Sequence, residues 1–474
     1  MTRSSGTFYF FDVETTGFSP RDGRIMQFAG QRTDMDLKPI GEPDNLLIKI
    51  TSDVLPQPDA VLVHGITPQQ TLLEGITEAE FAKYLTSQVC LPDTIMVGYN
   101  NLRFDNEFIR FTLWRNFHDA YEWSWKEGCS TWDLLDVARM TRALRPDGIK
   151  WPFASDGKPS NRLEYLASVN KLDHSSAHDA LSDVRAVIDV ARLIKLKQPK
   201  LFDYLLNHRS KKMVVPLVGS GQPLVYTSGR YPSEFEKTTM AAMAVEKPDK
   251  SGALMYDLRL DPDEFKSLSV GELAERWKAR GEDAPYFPVK ELRYNRCPAI
   301  APAGVVDAAA YRRLKLHKEA VENHFAKLKK AEGFGDKLLQ ALEQVWPPRQ
   351  TGLVDDPQQV DGQLYDGFVG DADREKMSVV RAAKPAELSD LNLDFSDSRL
   401  KLLLPLYKAR NFPKFLDDKE QAEWQAFITA KLSPQLPGFF KRLEELAKTP
   451  GLDAGKQYLL EELNLYTQSI SSAA

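Results

Sequence analysis

Asp12 and Glu14 stand two residues apart in the segment Phe10-Phe11-Asp12-Val13-Glu14-Thr15-Thr16-Gly17. On a strand both carboxylates project from one face, where they repel each other unless a cation lies between them. Oxygen ligands of this kind suit Mg²⁺ or Mn²⁺ rather than zinc. A solvated strand end feeding a turn at Gly17 accounts for the pair equally well. A third acid, Asp105, closes Gly98-Tyr99-Asn100-Asn101-Leu102-Arg103-Phe104-Asp105. Taken alone, it reads as a residue capping a helix start, favoured by the helix dipole. The last cluster, His174-Ser175-Ser176-Ala177-His178-Asp179-Ala180-Leu181-Ser182-Asp183, contains an H-x4-D pattern twice, His174 with Asp179 and His178 with Asp183. Ser176 with Asp179 fits a capping box, which gives Asp179 a structural task at the helix start. His178 then sits in the first turn, where the positive end of the dipole keeps an imidazole neutral, as a base must be. Asp183 lies about 140° further round an ideal helix, so His178 has to reach round from the helix end. The pairing of His178 with Asp183 is preferred, and His174 is read as a surface residue.

Residues this far apart meet only if a fold gathers them. Thr7 to Val13, Arg24 to Arg32, Asn45 to Ile50 and Thr94 to Tyr99 are short, apolar and bounded by turn residues, so they predict strands. Glu78 to Gln88, Phe104 to Phe117, Leu134 to Leu144, Arg162 to Val169 and Ala177 to Leu196 carry helical spacing. Three successive strands followed by helix, strand and helix imply a mixed sheet with helices on its faces. The lysine-rich stretch around Pro199 predicts a boundary, giving a first domain over residues 1–198. A second, α+β domain is expected over 199–350, with strands at Leu224 to Thr227 and Ala253 to Leu258 and a helical stretch from Ala308 to Lys330. Pro347 to Gln359 is polar and proline-rich and reads as a linker. A helical third domain over 356–474 has its clearest pieces at Arg399 to Lys408, Gln421 to Ala430 and Phe439 to Leu446.

The chain has 474 residues, too many for one core. Hydrophobic residues make up 42% and charged ones 27%, which excludes disordered and collagen-like classes. Cys90, Cys129 and Cys297 are odd in number and form no CxxC pair, which argues against a disulfide framework or a zinc site and fits a reducing cytoplasm. The polar start Met1 to Gly6 offers no secretory leader, and no run approaches the length needed to span a bilayer. A net charge of -5 does not mark a nucleic-acid binder, although carboxylates gathered for metal ions would lower the total whatever the local field elsewhere. Five of the eight tryptophans fall between Trp114 and Trp151, with arginines at 110, 115, 139, 142 and 145 among them. Aromatic platforms interleaved with cations suit a single nucleic-acid strand; a core with a solvated arginine face suits the same residues.

D-x-E on the first strand, F-D opening a helix and H-x4-D on a later helix, in that order, resemble the DEDDh exonuclease superfamily. Leu134-Leu135-Asp136-Val137, Ala143-Leu144-Arg145-Pro146-Asp147-Gly148-Ile149-Lys150-Trp151-Pro152, Leu201-Phe202-Asp203-Tyr204-Leu205, Gln363-Leu364-Tyr365-Asp366-Gly367-Phe368 and Tyr407-Lys408-Ala409-Arg410-Asn411-Phe412-Pro413 narrow the resemblance to the exodeoxyribonuclease I family. The match thins over Pro216 to Trp346. The resemblance implies an RNase H-like α/β exonuclease domain, an SH3-like α+β domain and an all-helical C-terminal domain. It also implies 3′→5′ hydrolysis of single-stranded DNA to 5′-mononucleotides, in DNA repair or recombination. Asp12, Glu14, Asp105 and Asp183 would hold two Mg²⁺ ions, replaceable by Mn²⁺, and His178 would act as base. Glu14, Thr15, Arg110, Tyr121, Trp125, Arg139, Arg162 and Lys211 would contact the strand. Arg145 and Tyr204 would dock the acidic, Phe-ended tail of the single-stranded-DNA-binding protein, with the nuclease itself a cytoplasmic monomer. An RNA-trimming exonuclease with the same site, or a catalytically inactive single-strand-binding scaffold, are the alternatives these residues leave open.

Overall fold

Phe8 to Phe11 form an unbroken apolar run because the strand that carries them is covered on both faces. In the computed structural model, which describes residues 6–172, 179–281, 284–347 and 355–472, β1 (Thr7–Thr15) pairs antiparallel with β2 (Ile25–Thr33) and parallel with β4 (Thr94–Gly98). With β3 (Asp44–Leu47) beyond β2, these strands lie in the order β3-β2-β1-β4. Tyr9, Phe11 and Val13 point to one face, into a core with Phe28, Phe81, Met96 and Phe108. Phe8 and Phe10 are buried on the other face, and Asp12 and Glu14 continue that second face at the strand's end. Gly30 lies across from Phe11, and a Cβ there would come within 2.3 Å of the Tyr9 ring. Only glycine lets that ring lie flat on the sheet.

The chain divides into two compact units, and the boundaries do not follow chain order. The first comprises Met1–Ser130, Ser175–Arg185 and Thr351–Ala474. Within it the C-terminal helices Asp371–Ala382 and Ser398–Asn411 bury Met377, Val380, Leu400, Leu403 and Tyr407 against Phe111, Trp114 and Phe117 of the helix Asp105–Arg115 and the turn after it. The helices Leu436–Ala447 and Ala454–Ser472 close over Val61. A buried charge network joins the same parts. Arg24 and Arg410 both pair with Asp361 at 2.8 Å, Arg410 and Lys431 with Asp53 at 2.7 Å, and Arg115 with Glu78 at 2.6 Å.

The second unit comprises Thr131–His174 and Ala186–Gln350. Its sheet is antiparallel throughout, in the order β10-β6-β7-β8-β9: β6 (Leu224–Thr227), β7 (Thr238–Glu246), β8 (Gly252–Asp257), β9 (Val289–Arg293) and β10 (Ala299–Pro302). Val214, Tyr226, Tyr231, Met255, Leu292, Tyr294 and Ile300 form its core. The helix expected from Ala308 to Lys330 is two helices, Ala308–Arg313 and Lys318–Lys329. The break falls at Lys315, whose φ of 50° cannot continue a right-handed helix. A fifth strand in chain order, β5 (Ser130–Asp133), was not expected. No helix among the described residues is long and apolar enough to cross a membrane.

Candidate active site

The first unit brings four acids together. One carboxylate oxygen from each of Asp12, Glu14 and Asp183 lies within 4.8 Å of the others. Asp12 and Glu14 come from the end of β1, and a register shift between Glu14 and Thr15 ends regular pairing there, as bulges beside functional sites often do. Asp105 reaches the same place from the first turn of the helix Asp105–Arg115. It is buried, and its Oδ1 accepts the N–H of Val13 at 3.2 Å, between the two β1 acids. Asp183 stands in the first turn of the helix Ala180–Lys197.

This helix start differs from the expectation. The helix begins at Ala180 and Asp179 is its cap, the Asp179 Oδ2 accepting the Ser182 N–H at 3.0 Å. Asp179 thus has a structural task, but as the capping residue itself rather than as the third residue of a box. His174, Ser176 and His178 lie outside the described residues.

The electrostatics of the cluster are one-sided. Burial, then Asp105, Glu14 and Asp183, push the Asp12 carboxyl well above the usual carboxylate range. Glu14 is pushed up to about 8 by burial and then by Asp183, Asp105 and Asp179. Every charged group that perturbs these two is another acid. Four hard oxygen donors with no cation among their perturbing neighbours suit divalent ions, which would offset the repulsion that raises both groups.

His64 was not anticipated, and nothing in its surroundings Val61-Leu62-Val63-His64-Gly65 marks it. It ends the helix Pro58–His64, its Nδ1 accepts the Ile66 N–H at 3.0 Å, and it lies against the Thr15 backbone. Burial pushes it down to about 4, so it is neutral at pH 7. Thr15 is buried, with its hydroxyl donating to the Gly17 carbonyl at 2.8 Å.

Of the residues expected to contact a strand, the first unit holds Arg110, Tyr121 and Trp125. Arg110 pairs with Glu107 at 2.8 Å and its guanidinium lies 5.6 Å from the Tyr121 ring centre. Trp125 is 61% exposed, an open face for stacking. Tyr365 and Phe368, in one of the motifs quoted above, were not singled out as contacts. Tyr365 donates to Glu107, and Phe368 is 94% exposed. In the second unit Arg139 pairs with Asp136 at 2.6 Å, Arg162 and Lys211 are solvent-facing, and Arg145 pairs with Asp307 at 3.4 Å. Tyr204 stacks on His208 with ring centres 3.9 Å apart.

Comparison with known proteins now decides the family. Residues 9–191 match the family described as Exonuclease, 209–344 the Exonuclease I SH3-like domain, and 358–470 the Exonuclease I C-terminal domain. Exodeoxyribonuclease I of Escherichia coli strain K12 is 38% identical over 99% of this chain and 99% of its own. The chain belongs to the exodeoxyribonuclease I family. The Haemophilus influenzae exodeoxyribonuclease I is 37% identical, over 97% of this chain and 98% of its own. Among solved structures, Exonuclease I from Methylocaldum szegediense superposes with a TM-score of 0.91 at 39% identity, covering 98% of this chain and 99% of that one. The zinc-bound E. coli Exonuclease I–ssDNA complex gives 0.92 at 38% identity, over 99% of this chain and 100% of that one. The α/β exonuclease, SH3-like and helical C-terminal parts of the expected fold follow in that order. Membership of this family makes the chain an exodeoxyribonuclease, and its four-acid chemistry implies divalent metal ions.

Proposed function

We propose that the protein removes nucleotides one at a time from the 3′ end of single-stranded DNA, using Mg²⁺ ions held by Asp12, Glu14, Asp105 and Asp183, with Mn²⁺ able to substitute. The convergence of these acids from β1 and two helices carries the reading. Related support comes from E. coli Exonuclease I, solved with a dA16 oligonucleotide and, with an inhibitor, as an SSB/Exonuclease I complex.

Bound divalent ions supply Lewis-acid polarisation of the phosphoryl oxygens and offset the charge that develops on them. The protein's own part is to hold and orient. Thr15, buried beside Glu14, lines the place of the terminal nucleotide. Arg110, Arg139, Arg162 and Lys211 pair with phosphates, and Tyr121 and Trp125 stack on bases. His178 takes the proton from the attacking water, a role that imidazole suits at neutral pH. Nucleoside 5′-monophosphates leave. Domain limits of 1–198, 199–350 and 356–474 belong to this proposal, as do Arg145 and Tyr204 as the docking point for the acidic tail of the single-stranded-DNA-binding protein.

End-labelled single- and double-stranded DNA and matched RNA, each incubated with the protein, test the reading. Mononucleotides should appear from the 3′ end of the DNA single strand only, stop in chelator and resume with Mg²⁺. A ladder of opposite polarity, equal digestion of RNA, or release that persists in chelator would overturn it.

A further inference from the structure

A carboxylate stands where a polyanion has to approach. Glu107 follows Asp105 by two residues in the first turn of the helix Asp105–Arg115. One of its oxygens pairs with Arg110 at 2.8 Å, and the other accepts the hydroxyl proton of Tyr365. The pair is largely shielded, with 13% of the Glu107 side chain and 19% of the Arg110 side chain exposed. An acid this close to an arginine weakens that arginine's attraction for phosphate. Affinity for the strand therefore does not account for Glu107.

Its contacts point to orientation instead. Glu107 and Arg110, three residues apart, lie on one face of the helix. The Arg110 guanidinium is 5.6 Å from the Tyr121 ring centre, and its buried Nε has no hydrogen-bond partner among the described residues. Tyr365, on the other side of Glu107, is itself anchored. Its ring meets Phe111 edge-on at 5.7 Å, and at the start of its turn (Val360–Tyr365) the Val360 carbonyl accepts the Trp114 Nε1–H at 3.2 Å. Asp361, in the same turn, belongs to the buried charge network with Arg24 and Arg410. Glu107 thus ties a flexible cation to two fixed supports.

Arg110 is also tied to the acids. It follows Asp105 by five residues on one helix, about 7.5 Å along the axis, and Asp105 is joined to β1 through the Val13 N–H. A phosphate seated on a fixed Arg110 is held at a set distance from the acid cluster. Released from Glu107, the long Arg110 side chain would sample several rotamers and carry the phosphate with it. A shift of about 1 Å in a reacting group costs on the order of 10²-fold in rate.

We infer that Glu107 is a positioning residue for the hydrolysis, acting through Arg110 to hold the strand in register with the acid cluster while weakening its grip. The inference rests on the reading that Arg110 contacts the strand. Because Glu107 repels the phosphates it helps to place, its removal affects binding and turnover in opposite directions.

Three measurements on the full chain test it: dT20 anisotropy in chelator, the kcat of mononucleotide release from dT20 in Mg²⁺, and the urea midpoint. Glu107→Gln keeps the side chain's shape and an acceptor for Tyr365, so the urea midpoint should not move. Its dT20 Kd should fall about two-fold as a repelling charge goes, while kcat drops about ten-fold. Tyr365→Phe, which removes only the hydroxyl tether, should lower kcat about three-fold without raising Kd. In Glu107→Gln/Arg110→Gln the kcat should stay within about two-fold of that of Arg110→Gln, because a residue acting through another adds nothing once the other is gone. The inference is sunk if Glu107→Gln leaves kcat unchanged, if its Kd rises in step with the loss of kcat, or if the two losses multiply in the double variant. A lowered urea midpoint with both functions impaired would make Glu107 structural and sink it equally. Arg110→Gln alone separates the two readings. If that variant leaves Kd and kcat unchanged, the strand contact falls and the inference with it; if it impairs them but shows no coupling to Glu107, only the inference falls.

Discussion

Two groups of acids lie in the same compact unit and behave in opposite ways. Asp53, Glu78 and Asp361 are threaded among Arg24, Arg115, Arg410 and Lys431. The cations overcome the cost of burial and hold all three carboxyls below the usual range. Asp12 and Glu14 are half-buried, yet burial raises both, and their charged neighbours are acids that raise them further. The first group is neutralised from within, with one positive charge to spare, and burial presses that excess on Lys431, whose ammonium is held below its ordinary pKa. The second is left short of positive charge, and the deficit has to be met from solution. What sets the two groups apart is the sign of the charges around them.

The sharpest way to break this contrast is to remove one acid from each group. Asp12→Asn should cut mononucleotide release on the order of 10³-fold or more, because the ions lose a ligand. The same variant in chelator should be about 1–3 kcal/mol more stable to urea than the unaltered chain, because a repelled, desolvated charge is gone. Asp361→Asn should do the reverse in stability, costing about 3–5 kcal/mol by leaving Arg24 and Arg410 buried with one shared carboxylate, Asp53, in place of two. If Asp12→Asn destabilises the metal-free chain as Asp361→Asn does, the acid cluster is structural and the contrast fails.

Much of the acid-cluster half of this contrast was legible in the amino-acid order, and almost none of the charge-network half was. Period-two spacing places Asp12 and Glu14 on one face of β1, and the helical run after Phe104 carries Asp105 to it. Those patterns are local. The charge network is not: Arg24 and Asp361 are separated by 337 positions, and no periodicity says that the C-terminal helices close on the first strands. The short helices Pro58–His64 and Pro68–Glu74 were missed although each opens on proline, a known first-turn preference. Seven-residue helices show too few turns for an apolar stripe to register. The start of the helix carrying Asp183 was placed three residues early, because Ser176 and Asp179 can each cap a helix and spacing alone does not choose.

His64 supplies the finest test of the idea that positive charge must reach the acids from outside. It lies against the Thr15 backbone, next in the chain to Glu14, where an imidazolium would be a cation of the fold's own. Burial instead holds it down to about 4 against an ordinary 6.5. The unfolded chain therefore takes up this proton first. The stability that a neutral His64 contributes is present above about pH 6.5 and is lost as the pH falls towards 4. The full gap corresponds to a little over 3 kcal/mol at about 1.36 kcal/mol per unit, and partial exposure trims it to about 2 kcal/mol. His118, pushed down to about 3 by burial and by Arg381, adds a slope of the same sign. The measurement is therefore a difference: urea midpoints of the unaltered chain and of His64→Asn between pH 4 and 7.5, with the variant's curve flatter by that amount. Parallel curves would mean that His64 titrates as freely folded as unfolded, and the claim that the fold withholds its own cations from the acids would lose its nearest witness.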